Sequence, residues 1–275
     1  MNLDSSRDSQ TTSRVGVAVF KGTGSRLESL SADEIIHWTL DTFPIGKIAV
    51  LSAFQKAGCV LCHSIARLGL QSRVDVLFVD TGVNFPETIE TVDRYRTEYG
   101  LNVIALHPER TMARQTAEEG VLYLSKEGQE RCCELRKKDP LKQIRGRYEA
   151  LLSSLHRSDG GRRAKTPVLA PDIELNLVRI HPLISITEEE IEAYIRQHGV
   201  IVNPLHDQGY PTVSCARCTT PVLPGEDERA GRWRHLEHAS QYCNINPTDR
   251  ARGGDNSDFV ELSYETAQKI ENYEI

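Results

Sequence analysis

Between Lys47 and Leu106 the chain carries three short apolar runs, "KIAVLS" (47–52), "VDVLFVD" (74–80) and "LNVIAL" (101–106). Each is short for a helix and more uniformly apolar than a half-exposed strand, the pattern of strands buried on both faces. The segments between them have helical character. "GCVLCHSIARLGL" follows the first run, and "PETIETVDRYRTEYG" (86–100) is opened by Pro86 and closed by Gly100. Upstream, "SADEIIHWTLDTF" sets Ile35, Ile36, Leu40 and Phe43 as a stripe behind Ser31 and Glu34 at capping-box spacing. Downstream, "SITEEEIEAYIRQHG" (185–199) has Thr187 and Glu190 as its box and Gly199 as its stop. Alternating strands and helices predict an α/β fold, a parallel sheet with helices on both faces.

The Ser-, Thr-, Asp- and Gly-rich residues 1–25 read as a disordered N-terminus. A main domain is expected over 26–235. A tail follows over 236–275, a Gly/Asp-rich linker and then an acidic helix. The 275 residues suffice for one good core, and the net charge of −6 argues against a general nucleic-acid binder. No apolar run approaches membrane-spanning length, and "MNLDSSRDSQTTSR" lacks the apolar centre of a signal peptide. Seven cysteines in such a chain read as thiols and ligands in a reducing cytoplasm.

Four of those cysteines form two pairs, Cys132–Cys133 and Cys215-Ala-Arg-Cys218. Thiolates are soft ligands, and four suit either zinc or an iron–sulfur cluster. Directly adjacent cysteines fit poorly in a zinc knuckle, which places two to four residues between its ligands. Arg136, Lys137 and Lys138 follow the first pair, a basic setting suited to an anion beside the metal; a purely structural metal site is the alternative. Cys59 and Cys62 form another C-x-x-C, but Val60 and Leu61 between them favour small core residues. In a parallel sheet, ligands bind beyond the carboxyl ends of the strands. Two loops fall there, "LSAFQKAGCVL" with Ser52 and Lys56, and "FVDTGVNFPET" with Asp80, Thr81 and Gly82.

"CCELRKKDPL" followed by "CARCTTPVLPGEDERAGRW" resembles the assimilatory adenylylsulfate (APS) reductases of the APS/PAPS reductase family, over about Ala49 to Cys243. The resemblance implies an adenine-nucleotide alpha hydrolase-like fold of the PP-loop type. It implies a 4Fe–4S cluster on Cys132, Cys133, Cys215 and Cys218, and APS rather than PAPS as substrate. Arg136, Lys137, Arg157, Arg163, Arg229 and Arg232 would bind the anionic substrate, with Ser52, Asp80, Thr81 and Gly82 at the nucleotide. Cys243, eleven residues beyond Arg232, matches the nucleophile, which would form an S-sulfocysteine released by thioredoxin or glutaredoxin.

The sequence departs from the family at three points. His156 stands where the substrate loop has an arginine, Tyr242-Cys243-Asn244-Ile245-Asn246 replaces a Glu-Cys-Gly-Leu-His signature, and residues 244–275 extend the tail. Two further readings are therefore carried: a diverged enzyme using PAPS or another adenylylated or sulfated compound, and a cluster-containing nucleotide-binding sensor without turnover. A homo-oligomer is compatible with all three.

Overall fold

The computed structural model describes residues 12–237, 245–247 and 259–273. Its centre is a six-stranded sheet built from β2 (Ile48–Leu51), β3 (Asp75–Val79), β4 (Val103–Leu106), β5 (Ala150–Ser153), β6 (Leu169–Asp172) and β7 (Leu177–Ile180), in the order β4-β3-β2-β5-β7-β6. All neighbours are parallel except β6, which runs antiparallel to β7 at the edge. The three apolar runs read from sequence are β2, β3 and β4. The order reverses beside β2, where β3 lies on one side and β5 on the other, so the carboxyl ends of these strands open a crevice.

Helices cover both faces, but unequally. Ile48, Val50, Val76, Phe78, Leu152 and Ile180 point to one face, packed by α2 (Ala32–Thr42), α3 (Lys56–Arg67), α4 (Pro86–Thr97) and α8 (Glu188–His198). Ala49, Leu77, Leu151 and Leu177, one residue out of phase, point to the other face. That face is covered by a smaller set centred on Leu141, Ile144 and Tyr148. Both capping boxes form as spaced, Ser31 with Glu34 and Thr187 with Glu190, and Gly199 closes α8 in the left-handed conformation.

The disordered N-terminus is corrected for the residues described. β1 (Thr12–Gly16) and α1 (Val17–Leu27) are ordered because β1 pairs antiparallel with β8 (Phe259–Ser263), the strand before α9 (Tyr264–Glu271). Val15, Phe20, Leu27, Val260, Leu262 and Ile270 join the main core. Asn176, in the turn between β6 and β7, exchanges two hydrogen bonds with the backbone of Glu261, at 3.1 and 2.9 Å. The end of the chain is thus tied to its beginning and to the sheet edge. Composition concealed this, because the partner that orders β1 lies at the far end of the sequence.

Candidate active site

The loop after β2 forms the floor of the crevice. Ser52 Oγ accepts the Phe54 amide at 3.0 Å, and Phe54 adopts a left-handed backbone (φ 51°). Its ring, packed edge-on against Phe78 and Tyr95, holds that conformation. At Gly58 an added Cβ would meet Ser52 Oγ at 2.7 Å, so a side chain there would push the Ser52 hydroxyl off the Phe54 amide. Ser52, Ala53 and Gln55 then line a cleft of about 190 Å³ together with Thr81, Asn84, Ser154 and Ser214.

Among the described residues, four cations enter the cleft from three separate segments: Lys137, Arg163, and the pair Arg229 and Arg232. Asp159 Oδ2 holds Arg163 at 2.8 Å, Lys137 Nζ donates to Ser214 Oγ at 2.8 Å, and the Arg232 guanidinium lies over the Trp233 ring at 4.3 Å. This convergence suits a ligand with more than one anionic group.

Arg136 and Arg157 do not line the cleft. Arg136, only 3 % exposed, donates to the carbonyls of Thr81 (2.6 Å) and Arg110 (3.1 Å) and to Gln115 Oε1 (3.0 Å). Arg157 forms a bidentate pair with Glu28 in the turn after α1. Asp80 organises its own turn, accepting from the Gly82 amide (2.8 Å) and Asn84 Nδ2 (3.2 Å); neither Asp80 nor Gly82 lines the cleft. Lys56 pairs with Glu192 of α8 instead of facing the cleft. His156 is buried and bonded to Ser158 Oγ, and burial pushes its imidazole below the ordinary value, so this position adds no charge at neutral pH. Cys243 lies outside the described residues, but Ile245 and Asn246 line the cleft.

The opposite fates of Arg136 and Lys137 have a local cause. α6 (Lys126–Cys133) passes through a π-helical turn, Glu134–Lys138, into α7 (Asp139–Lys142). The Asp139 amide bonds to the carbonyl of Glu134, five residues back. Pro140 has no N–H to continue an α ladder and its ring would press on the carbonyl of Arg136, so the wider turn accommodates it. The turn sits directly after the cysteine pair, where it aims Arg136 toward the cysteines and Lys137 to the boundary.

The four paired cysteines line one small cavity, walled by Val83, Met112, Tyr123 and Trp233. Lys137 lines both this cavity and the cleft. Cys215 Sγ donates to Thr81 Oγ1 at 3.3 Å, and the backbones of Asn84 and Cys215 form an antiparallel bridge. Burial raises the thiol of Cys132 and pushes Cys218 up to about 12, conditions under which free thiols stay protonated. Among the described residues no three His, Cys, Asp or Glu side chains converge to hold a single metal ion. The Trp233 indole N–H is buried at this cavity without a hydrogen-bond partner among the described residues. Cys59 and Cys62, by contrast, are wholly buried in the main core, and burial pushes Cys62 up to about 12, as small core residues rather than a redox pair would have it.

Gln55, Asn84, Ser154 and Ser214 at the cleft, and Gln115, Gln129, Tyr123 and Trp233 around the cysteines, escaped the sequence reading. Uncharged polar residues carry no spacing signal. Ser214 and Trp233 had the one available cue, adjacency to Cys215 and Arg232.

Residues 47–221 match the family described as phosphoadenosine phosphosulfate reductase domain. The adenosine 5'-phosphosulfate reductase of Rhodococcus opacus is 39% identical over 214 residues, 75% of this chain and 85% of that protein. The adenosine 5'-phosphosulfate reductase of Streptomyces coelicolor is 40% identical over 216 residues, 78% of this chain and 89% of that protein. Among solved structures, a phosphoadenylyl-sulfate (PAPS) reductase from Candida auris superposes with a TM-score of 0.63 at 22% identity, covering 73% of this chain and 96% of that one. At that identity the superposition speaks for the fold alone. The match over the sheet and both cysteine pairs, joined to relatives aligned over most of their length, shows that this chain belongs to the APS/PAPS reductase family.

Proposed function

We propose that the protein reduces adenylyl sulfate to sulfite and AMP in sulfate assimilation. The observation that carries this is the position of Lys137, at the wall shared by a cleft of converging cations and a cavity of four cysteines, in a chain related to adenosine 5'-phosphosulfate reductases. The nucleotide occupies the cleft over Ser52 and Thr81. Lys137, Arg163, Arg229 and Arg232 neutralise its phosphate and sulfate, and most of their charge stabilisation is realised as the sulfate–phosphate bond breaks.

Cys243 supplies the nucleophile. Its thiolate attacks the sulfate sulfur, the S–O bond to the phosphate breaks, and AMP leaves with the bonding electron pair. A dithiol protein of the thioredoxin or glutaredoxin type, in the cytoplasm, then attacks the S-sulfocysteine. Sulfite departs, a mixed disulfide forms, and the second thiol of the dithiol resolves it to regenerate Cys243. The two electrons gained by sulfur come from the dithiol, which ends as a disulfide.

The four cysteines are the residues that would hold a 4Fe–4S cluster. Four soft donors in one buried cavity, with an unpartnered indole N–H among them, fit thiolate-ligated iron. Bound there, the cluster supplies a fixed charge beside the sulfate. Lys137 bonds Ser214, the neighbour of Cys215, and so carries the cysteine side of the site to the substrate side.

Anaerobic incubation with APS and no reductant tests the first step. The expected result is one sulfite-sized mass gain per chain, mapped to Cys243, with one AMP released, and none in Cys243→Ser. An adduct on another cysteine would remove Cys243 from its role. An adduct from PAPS alone would reassign the substrate.

A further inference from the structure

Two glutamines flank the adjacent cysteines. Gln115, on α5 (Met112–Glu119), and Gln129, on α6, are each 2 % exposed. Gln115 Nε2 lies 3.6 Å from Cys132 Sγ, and Gln129 Nε2 lies 3.5 Å from Cys133 Sγ. Each cysteine of the pair therefore has its own amide donor. A buried carboxamide is expensive to leave without hydrogen bonds, so two of them aimed at two neighbouring sulfurs need a reason.

The orientation of Gln115 is dictated by chemistry. Its Oε1 faces the Arg136 guanidinium at 3.0 Å, and a guanidinium only donates. The amide nitrogen is thereby turned to Cys132. Arg136 is locked in turn by the carbonyls of Thr81 and Arg110. The chain Arg136–Gln115–Cys132 is thus a relay in which a fixed cation polarises the amide that meets the sulfur. Gln129 reaches Cys133, four residues on, along its own helix, a spacing that brings side chains together.

We propose that Gln115 and Gln129 are positioning residues that stabilise anionic sulfur at Cys132 and Cys133, holding these two thiolates in their iron-ligating state. The proposal rests on the cluster reading above. Sulfur in a buried cavity carries its charge at a cost, and an N–H directed at it offsets part of that cost. Two adjacent thiolates also repel each other along the chain, so donors are most needed at this pair.

The test uses anaerobically purified holoprotein and two readouts other than turnover: the rate of iron release to a chelator, and the iron–cysteine stretching bands in resonance Raman spectra. Gln129→Met keeps the volume and removes the donor. Gln115→Glu keeps an oxygen toward Arg136 but turns a carboxylate oxygen to Cys132, whereas Gln115→Leu removes both contacts. Iron release is expected to quicken about 10-fold in each variant, with stretching bands shifted upward as the iron–sulfur bonds lose competition from hydrogen bonds. Release and spectra equal to wild type in Gln129→Met and Gln115→Glu would overturn the proposal. A normal Gln115→Glu beside a fast Gln115→Leu would overturn it for Gln115, making that residue a support for Arg136 only. Circular dichroism of each variant separates iron loss from misfolding; if Gln129→Met unfolds, Gln129→Leu and Gln129→Glu take its place. Wild-type protein without iron and inorganic sulfide would remove the cluster reading and this proposal with it; iron-loaded variants with unaltered behaviour would remove the proposal alone.

Discussion

The cleft and the cysteine cavity share a wall but are built on opposite principles. The cleft is open, and its charges come from loops far apart in sequence: Lys137, Arg163, Arg229 and Arg232. The cavity is much smaller and walled by large side chains; burial raises the thiols of Cys132 and Cys218, and amide donors lie at hydrogen-bond distance from Cys132 and Cys133. The first arrangement suits an anion that arrives from water and leaves again. The second suits a group placed once and kept. Lys137 belongs to both regions, and the π-turn that puts it there also turns Arg136 away.

Substitutions that strike one region and spare the other would sharpen this contrast. The largest effect is expected at the cavity: Cys215→Ser should lose its iron, and Tm should fall by roughly 5–10 °C, as for loss of about 2–3 kcal/mol in a chain of this size. Metal analysis and a thermal melt check it, and retained iron would detach Cys215 from the ligand set. Lys137→Met tests the shared wall. Activity (kcat/KM) should drop about 10²- to 10³-fold while iron content is unchanged, since the lost charge acts at the cleft. Iron loss in this variant would mean the two regions are one.

A smaller effect separates two arginines of the same loop. Arg163→Ala should raise KM about 10- to 100-fold, the weight of a charge-assisted contact. Arg157→Ala should leave KM within about twofold and cost under about 1 kcal/mol, because it gives up only a partly exposed pair with Glu28. Equal effects on KM would return Arg157 to the substrate. The smallest effect concerns Glu134 in the π-turn. Burial acts to raise its carboxyl, but hydrogen bonds from Lys138 and Lys142 outweigh this and hold it at about 2. A lowered carboxylate contributes stability that is full above its ordinary value of 4.5 and is lost as pH falls toward 2. Wild type and Glu134→Gln should therefore differ in Tm at pH 7 and converge as the pH approaches 2.

Much of the fold through β4, and α8 beyond it, was legible because the signals are local. β2, β3 and β4 are uniformly apolar, and the boxes at Ser31 and Thr187 announce α2 and α8 within four residues. β5, β6 and β7 were not read from sequence; Pro171 and Arg179 interrupt the apolar runs of β6 and β7. β1 and β8 were missed for a different reason, since each is a strand only because the other exists. At the candidate site, motif position named the paired cysteines, which line one cavity, and Lys137, Arg163, Arg229 and Arg232, which line the cleft. Motif position also named Arg136 and Arg157, which do not line the cleft, because it cannot tell which way a long side chain turns.

The sequence alone determined the kind of fold, the four soft donors and the cations available to an anionic substrate, because apolar periodicity, capping and residue chemistry act over a few neighbouring residues. Tertiary structure decided which cations face the cleft, which amides face the sulfurs, and that the chain's two ends are bound together. Those outcomes depend on partners such as Glu28 for Arg157, Glu192 for Lys56 and Ser263 for Thr12, which no local pattern names. A long side chain settles where its charge is best matched, and that match is made in space, between residues the sequence keeps far apart.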